Sequence, residues 1–189
     1  AFTYFLYAFY QREVLYDIFE SLCGARFTNS YTRVGGAMYD ATPLVIDKIR
    51  SFVRTFPKTL DDMERLLNRN RIFVDRTKGV GVLTKAEAIA RSASGPIARA
   101  SGVTRDLRKD EPYLAYGDLD FQICCASAGD CLARYLVRMA EMRESVKIMK
   151  QCCARLLGDE RNGRHVADDH KVVPPKRGQM KRSMEALIH

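Results

Sequence analysis

The chain has 189 residues, 47% hydrophobic and 29% charged, with a formal net charge of +8. That length supports one domain with a real core, and that composition excludes a disordered chain. No uncharged apolar run approaches the roughly 20 residues of a membrane-spanning helix. The basic balance raises nucleic acid or an anionic membrane surface as partners. Yet the Lys and Arg are spread along the chain. The densest stretch, Lys176, Arg177, Lys181 and Arg182, lacks the interleaved aromatics a single-strand binder needs. No nucleic acid is therefore expected; a basic protein docked among acidic subunits fits better.

The opening stretch, AFTYFLYAFYQREVLY, is apolar at first but lacks the basic flank and cleavage site of a secretory signal. It reads as the buried start of a helix, or as a surface that needs a partner. Residues 9 to 23 follow as an amphipathic helix, with Phe9, Leu15, Ile18, Phe19 and Leu22 on one side and Gly24 as its C-terminal cap. Gly24 to Asp40 is irregular. Gly35-Gly36 marks a place where the backbone turns or approaches something closely. Thr42-Pro43 starts a helix that buries Leu44, Val45, Ile49, Phe52 and Val53 and is interrupted at Pro57. A further helix, Leu60 to Asn68, carries Met63, Leu66 and Leu67.

Arg71 to Thr77 reads as a loop and Gly79 to Leu83 as a brief strand. Thr84 and Glu87 make a capping box for a short helix to about Arg91. Ser92 to Tyr116 is turn-rich, and Asp120 to Cys125 suits another short strand. Asp130 caps the longest helix, to about Leu157, which spans about 40 Å. Its apolar positions, Leu132, Tyr135, Met139, Met142, Val146, Met149, Cys153 and Leu156, alternate spacings of three and four, the seam of a helix packed against others. A polar linker follows Gly158, and Lys181 to Ile188 opens another helix. Both ends of the sequence read as cut.

The residues alone show no catalytic constellation. GxGxxG, a phosphate loop, GxSxG and HExxH are absent. Arg105, Asp106, Arg108, Lys109 and Asp110 read as a solvated or subunit-facing ion network. Tyr113 and Tyr116 read as packing residues. Arg33 beside Gly35-Gly36 either aims a cation at a buried anion or cofactor, or lies on a surface turn. The six cysteines, Cys23, Cys124, Cys125, Cys131, Cys152 and Cys153, form no CxxC pair, and the three histidines lie near the C-terminus. No metal site is expected, and the thiols read as free and buried.

Several longer strings go further. FLYAFYQREVLYDIFESLCGARF, YTRVGGAMYDATP, NRIFVDRTKGVGVLTKAEA, SGPIARASGVTRDLRKDEPY, GDCLARYLVRMAEMRESVKI and PPKRGQMKRSMEALIH occur in order. Together they resemble the quinone-site large subunit (49 kDa, D-type) family of respiratory complex I, NADH:quinone oxidoreductase. The resemblance implies a mainly α fold: a long-helix bundle core with short strands and irregular loops, part of the nickel–iron hydrogenase large-subunit-like fold. Residues 1–157 would form the helical scaffold, 158–173 a variable linker, and 174–189 the start of the next helical segment.

The implied function is support of electron transfer from NADH to quinone, coupled to proton translocation. The quinone cavity would be shared with an iron–sulfur subunit, and the chain alone is not expected to be catalytic. The family's quinone-headgroup histidine and tyrosine, with an aspartate, fall upstream of Ala1, so no catalytic residue is expected here. Phe5 and Leu6 are expected to wall the cavity, with Arg33 a further candidate; position 4 is Tyr where the family has Pro.

The chain would bind no cofactor or metal itself. Iron–sulfur clusters and FMN would sit in partner subunits. Partners would be the other complex I subunits, the chains supplying the missing N- and C-terminal parts, and the membrane arm. The expected location is the matrix side of the mitochondrial inner membrane, or the cytoplasmic face of a bacterial membrane. The alternatives are a segment of a membrane-bound nickel–iron hydrogenase large subunit and a redox-inactive scaffold descended from the family.

Overall fold

A computed structural model describes residues 2–158 and 163–188. The chain is mainly helical, as expected. Helix α1 (Phe2–Cys23) is followed by the two-residue strands β1 (Thr32–Arg33) and β2 (Gly36–Ala37). Then come α2 (Pro43–Leu67), α3 (Arg71–Thr77), α4 (Lys85–Ala90), α5 (Gly95–Ala100), α6 (Leu107–Asp110) and a 3-10 turn at Tyr116–Asp118. The long α7 (Cys131–Leu157) precedes α8 (Arg177–Met180) and α9 (Met184–Ile188). None of the described helices is long and apolar enough to cross a membrane. Residues divide into two compact units, 1–8 with 53–154, and 9–52 with 155–189.

In the first unit, Leu60, Met63 and Met139 form a buried cluster against which Tyr4, Ala8, Phe56, Tyr135 and Met142 pack. A second cluster joins Ala100, Ala133 and Val137. The small side chains there let backbones approach: Ala126 and Gly129 donate N–H groups to the carbonyls of Arg99 and Ala100, both at 2.9 Å. The seam of α7 is thus wider than its spacing suggests. Met139 and Cys153 are buried on it, but so are Ala133 and Val137, while Leu156 is exposed.

In the second unit, Ile18, Val45, Ile46 and Phe52 are buried. Gly24 caps α1 with φ +78°, its N–H reaching the Glu20 carbonyl at 2.9 Å. The paired glycines both turn and yield space. Val34 and Gly35 turn β1 into β2, and Gly36 pairs with Arg33 in the antiparallel ladder. Ala37 N–H then meets the His165 carbonyl at 2.8 Å, and Ala167 N–H meets the Gly35 carbonyl at 2.8 Å. A Cβ on Gly36 would lie 2.2 Å from the His165 oxygen. Leu44, expected inside, is exposed.

Several expectations about individual elements fail. Helix α2 runs through Pro57 instead of stopping there. Packing of Phe56 and burial of Leu60 and Met63 carry the helix past the lost hydrogen bond. Arg71 to Thr77 is helix, not loop: Asn70 caps it, its Oδ1 accepting from Phe73 N–H at 3.1 Å. Residues 79 to 83 are not a strand, because Gly79 and Gly81 take φ +69° and +60°. Their backbone groups are pinned one by one instead. Gly79 N–H donates to Asp130 Oδ2 at 2.8 Å, and Leu83 N–H to the Gly129 carbonyl at 2.9 Å.

Residues 120 to 125 have no strand partner either. Side chains of α7 satisfy that backbone: Asp120 N–H donates to Gln151 Oε1 at 2.9 Å and Gln122 N–H to Glu144 Oε2 at 2.8 Å. The capping box at Thr84 and Glu87 and the Asp130 cap of α7 both form as read. The last helix arrives as two short pieces, α8 and α9. His189 and parts of the polar linker (159–162) lie outside the described residues.

Candidate functional site

Phe5 and Leu6 sit on α1, and each is about half exposed. Phe5 stacks on Phe2, one turn earlier, at 6.4 Å between ring centroids. The apolar opening of the chain is therefore largely surface: Phe2, Tyr7, Phe9 and Tyr10 are exposed as well, and only Tyr4 and Ala8 turn inward. Of the two readings of this stretch, a buried helix start and a surface that needs a partner, the first does not hold. A ten-residue stretch that is apolar nearly all round has only one face to pack.

Arg33 lies on β1 in the second unit, exposed, with its guanidinium 3.4 Å from Met38 Sδ. Phe5 and Leu6 belong to the first unit, so the three candidates are not brought together within one unit.

The first unit holds a cavity of about 520 Å³ that no sequence pattern announces. Tyr4, Leu67, Phe73 and Tyr135 wall it, and Ile72 and Arg76 stand at its rim. Tyr135 is the organiser. Its ring meets Phe73 edge-on at 5.2 Å and Tyr4 at 6.3 Å, and its hydroxyl donates to Asn68 Oδ1 at 3.0 Å. Tyr4, in place of the proline expected from the resemblance, continues α1 and donates to Met139 Sδ at 3.3 Å. Burial, with Tyr4 and Glu64 close by, pushes the Tyr135 hydroxyl up to about 12; burial and Glu64 also raise Tyr4. Both phenols therefore stay neutral hydrogen-bonding groups. The cavity was illegible because α3, which supplies Phe73, reads as a loop.

A second cavity, about 720 Å³, lies over the charged motif. Of the network read as solvated or subunit-facing, Arg105, Lys109 and Asp110 are exposed, but Asp106 is not. Asp106 is only 6% exposed and Arg99, unnoticed in the sequence, only 8%. Asp106 accepts from Arg108 at 2.7 and 3.0 Å and from the Arg108 backbone N–H at 3.1 Å, with Arg99 at 3.8 Å. Arg99 donates to Glu141 of α7 at 2.7 Å and to the Arg105 carbonyl at 3.2 Å. The Arg108 hydrogen bonds hold the Asp106 carboxyl below its usual range against the opposing effect of burial. Arg108 and Lys109 also lie over the Phe121 ring, at 4.9 and 4.3 Å. Tyr113 and Tyr116 pack edge-to-face at 5.0 Å, as read. The only sequence signal was a run of alternating charge; which carboxylate is buried depends on Glu141, 42 residues from Arg99.

The cysteines are free, but only Cys153 is buried and Cys125 is exposed, so the expectation of uniformly buried thiols is corrected too. Among the described residues no three His, Cys, Asp or Glu side chains gather as a metal site.

Long helices, irregular connections and a charged motif clamped to the longest helix make up the described residues. The family model for the respiratory-chain NADH dehydrogenase 49 kDa subunit matches residues 1–189. The chain belongs to this family. It is 51% identical over 184 residues to the D-type subunit of NADH-quinone oxidoreductase from Phenylobacterium zucineum, covering 97% of this chain and 44% of that protein. It is 47% identical to the corresponding protein of Ehrlichia chaffeensis over 189 residues, all of this chain and 47% of that protein. The chain thus spans about half the length of the curated relatives it matches. These relatives are bacterial, and nothing in them indicates a mitochondrion.

Proposed function

We propose that this chain is the inner helical scaffold of the subunit that, with an iron–sulfur partner, encloses the quinone-reducing cavity of a respiratory NADH:quinone oxidoreductase. The observation that carries this reading is the family match along the whole chain. It also favours complex I over a hydrogenase segment, although the two share the hydrogenase-like fold proposed for this chain. The helices supply rigidity: a cavity wall displaced by even 1 Å weakens a reaction that depends on donor–acceptor placement.

FMN and iron–sulfur clusters held by partner subunits would pass electrons from NADH toward the quinone. This chain's residues would hold the cavity in shape and exclude water from it. Phe5 and Leu6, apolar and already at the surface of α1, suit contact with a quinone ring or tail, and Arg33, on β1 of the second unit, suits contact with an anionic or carbonyl group. Partners would be the iron–sulfur subunits, the polypeptide completing the family's length, and the membrane arm. The location would be the face of an energy-transducing membrane where NADH is oxidised, in a bacterium or a mitochondrion.

Affinity purification in mild detergent, with mass spectrometry of co-purifying polypeptides, tests the assembly. Recovery of iron–sulfur subunits supports the reading; their absence sinks it. In the purified complex, Leu6→Ala and Phe5→Ala should raise the KM for quinone several-fold while NADH oxidation by an artificial acceptor is unchanged. Equal loss of both activities would remove these residues from the cavity wall.

A further inference from the structure

Four of the cysteines fall in two adjacent pairs, Cys124-Cys125 and Cys152-Cys153, and the surroundings of the pairs are opposite. Cys152 and Cys153 lie inside α7, where helical hydrogen bonds fix the backbone and neighbouring side chains diverge. Cys124 and Cys125 lie on the irregular segment between the 3-10 turn and α7. Gln122 N–H donates to Glu144 Oε2 at 2.8 Å on one side of them, and Ala126 N–H to the Arg99 carbonyl at 2.9 Å on the other. Between these anchors, among the described residues, neither the Cys124 carbonyl nor the Cys125 N–H has a hydrogen-bond partner. The peptide group joining the two cysteines can therefore rotate without breaking a hydrogen bond.

The two thiols also differ in what they face. Cys124 is half-buried against the cluster of Ala100, Ala133 and Val137, whereas Cys125 is exposed. Burial, with Glu144 and Glu141 close by, pushes the Cys124 thiol up. An oxidant in solution thus reaches Cys125 first, and Cys124 is the neighbour that resolves the product.

We propose that Cys124 and Cys125 form a redox modification site, closing reversibly to a disulfide when a peroxide reaches Cys125. The Cys125 thiolate attacks one oxygen of hydrogen peroxide. The O–O bond breaks, a sulfenic acid forms, and the departing oxygen takes up protons and leaves as water. Cys124 then attacks that sulfur: the S–S bond forms, the S–O bond breaks, and a second water leaves with the Cys124 proton. The two sulfurs lose two electrons, and the peroxide is reduced to two waters. Consecutive Cα atoms are about 3.8 Å apart, closer than a relaxed disulfide prefers, so the ring is strained and a dithiol reductant reopens it. The site does not depend on the quinone reading.

The test uses the protein purified in mild detergent with whatever polypeptides it holds, treated with hydrogen peroxide, then denatured and alkylated. Cleavage on the N-terminal side of aspartate releases residues 120–129, which hold Cys124 and Cys125 and no other cysteine. This peptide should take up no alkyl group and be two hydrogens lighter than its reduced form, and dithiothreitol should restore full alkylation. Cys152 and Cys153 should stay alkylated throughout. In Cys124→Ser the ring cannot form, and Cys125 should instead carry a sulfenic acid trapped by dimedone. In Cys125→Ser, Cys124 should remain alkylated. Full alkylation of residues 120–129 after peroxide overturns the proposal. So does a bond from either sulfur to Cys131 or to another polypeptide, oxidation that dithiothreitol does not reverse, or equally ready closure of Cys152 and Cys153.

Discussion

Asp106 shows how much a single residue's role depends on what folds over it. In the sequence it is one acid in a mixed charge run; in the structure it is a buried carboxylate between Arg108 and Arg99. Removing it leaves the partly buried Arg108 guanidinium without its counter-charge, so Asp106→Ala should destabilise the first unit by about 2 kcal/mol, measured by urea unfolding. Its carboxyl titrates lower when folded than when unfolded. Its contribution is therefore complete above the unfolded value of about 4 and is lost as pH falls through the folded one. Stability measured from pH 6 down to pH 3 should fall less steeply in Asp106→Asn than in the unaltered protein; parallel slopes would show that Asp106 does not couple folding to protons.

Gly36 is the opposite case, since its importance was legible. Gly36→Ala places a methyl group against the His165 carbonyl. It should release residues 165 to 167, seen as loss of amide-exchange protection at Ala37 and Ala167.

Elements with strong terminal signals were read well. Asp130 caps α7 because its carboxylate accepts from Ala133 N–H at 2.7 Å, and the helix runs to Leu157 as its apolar spacing indicates. Elements whose backbone is satisfied by distant side chains were not. Residues 120 to 125 look like a strand by composition but take their hydrogen bonds from Gln151 and Glu144 of α7. Pro57 is a conflict between local preference and packing, which packing wins. Pro57→Ala restores the missing N–H toward Val53 and removes the ring clash, so it should stabilise α2 by about 2 kcal/mol, less a fraction for the freer unfolded chain. An unchanged or lower urea midpoint would mean that the bend proline imposes is itself part of the packing.

At the scale of the molecule, the surface is the notable property. Phe2, Tyr10, Ile72, Leu114 and Ile188 are all exposed at 70% or more. Leu114 also holds φ +50°, which a branched apolar residue rarely adopts. Along the opening of α1 the exposed Phe2, Phe5, Leu6 and Tyr7 are sequence neighbours, and an apolar run of this kind suits contact with other protein, as the proposed function requires. The isolated chain should therefore bind a hydrophobic dye and self-associate, and both should diminish when it is purified with the polypeptides it assembles with. A monomer that melts cooperatively and binds no dye would contradict the assembly reading. The candidate cavity residues divide along the same line: the strings around Phe5, Leu6 and Arg33 were legible as family wording, whereas the Tyr4–Leu67–Phe73–Tyr135 cavity was not, because its walls come from four separate helices.

By itself the sequence determined the family, the helical class, the caps at Thr84 and Asp130, and the turn at Gly35-Gly36. Each rests on residues adjacent in the chain, where local sterics and hydrogen bonding decide. Only the tertiary structure decided that α2 survives Pro57, that Arg99 and Asp106 are buried together against Glu141, and that the apolar opening of α1 faces outward. These outcomes turn on contacts between residues tens of positions apart, and desolvation and packing there outweigh local preference.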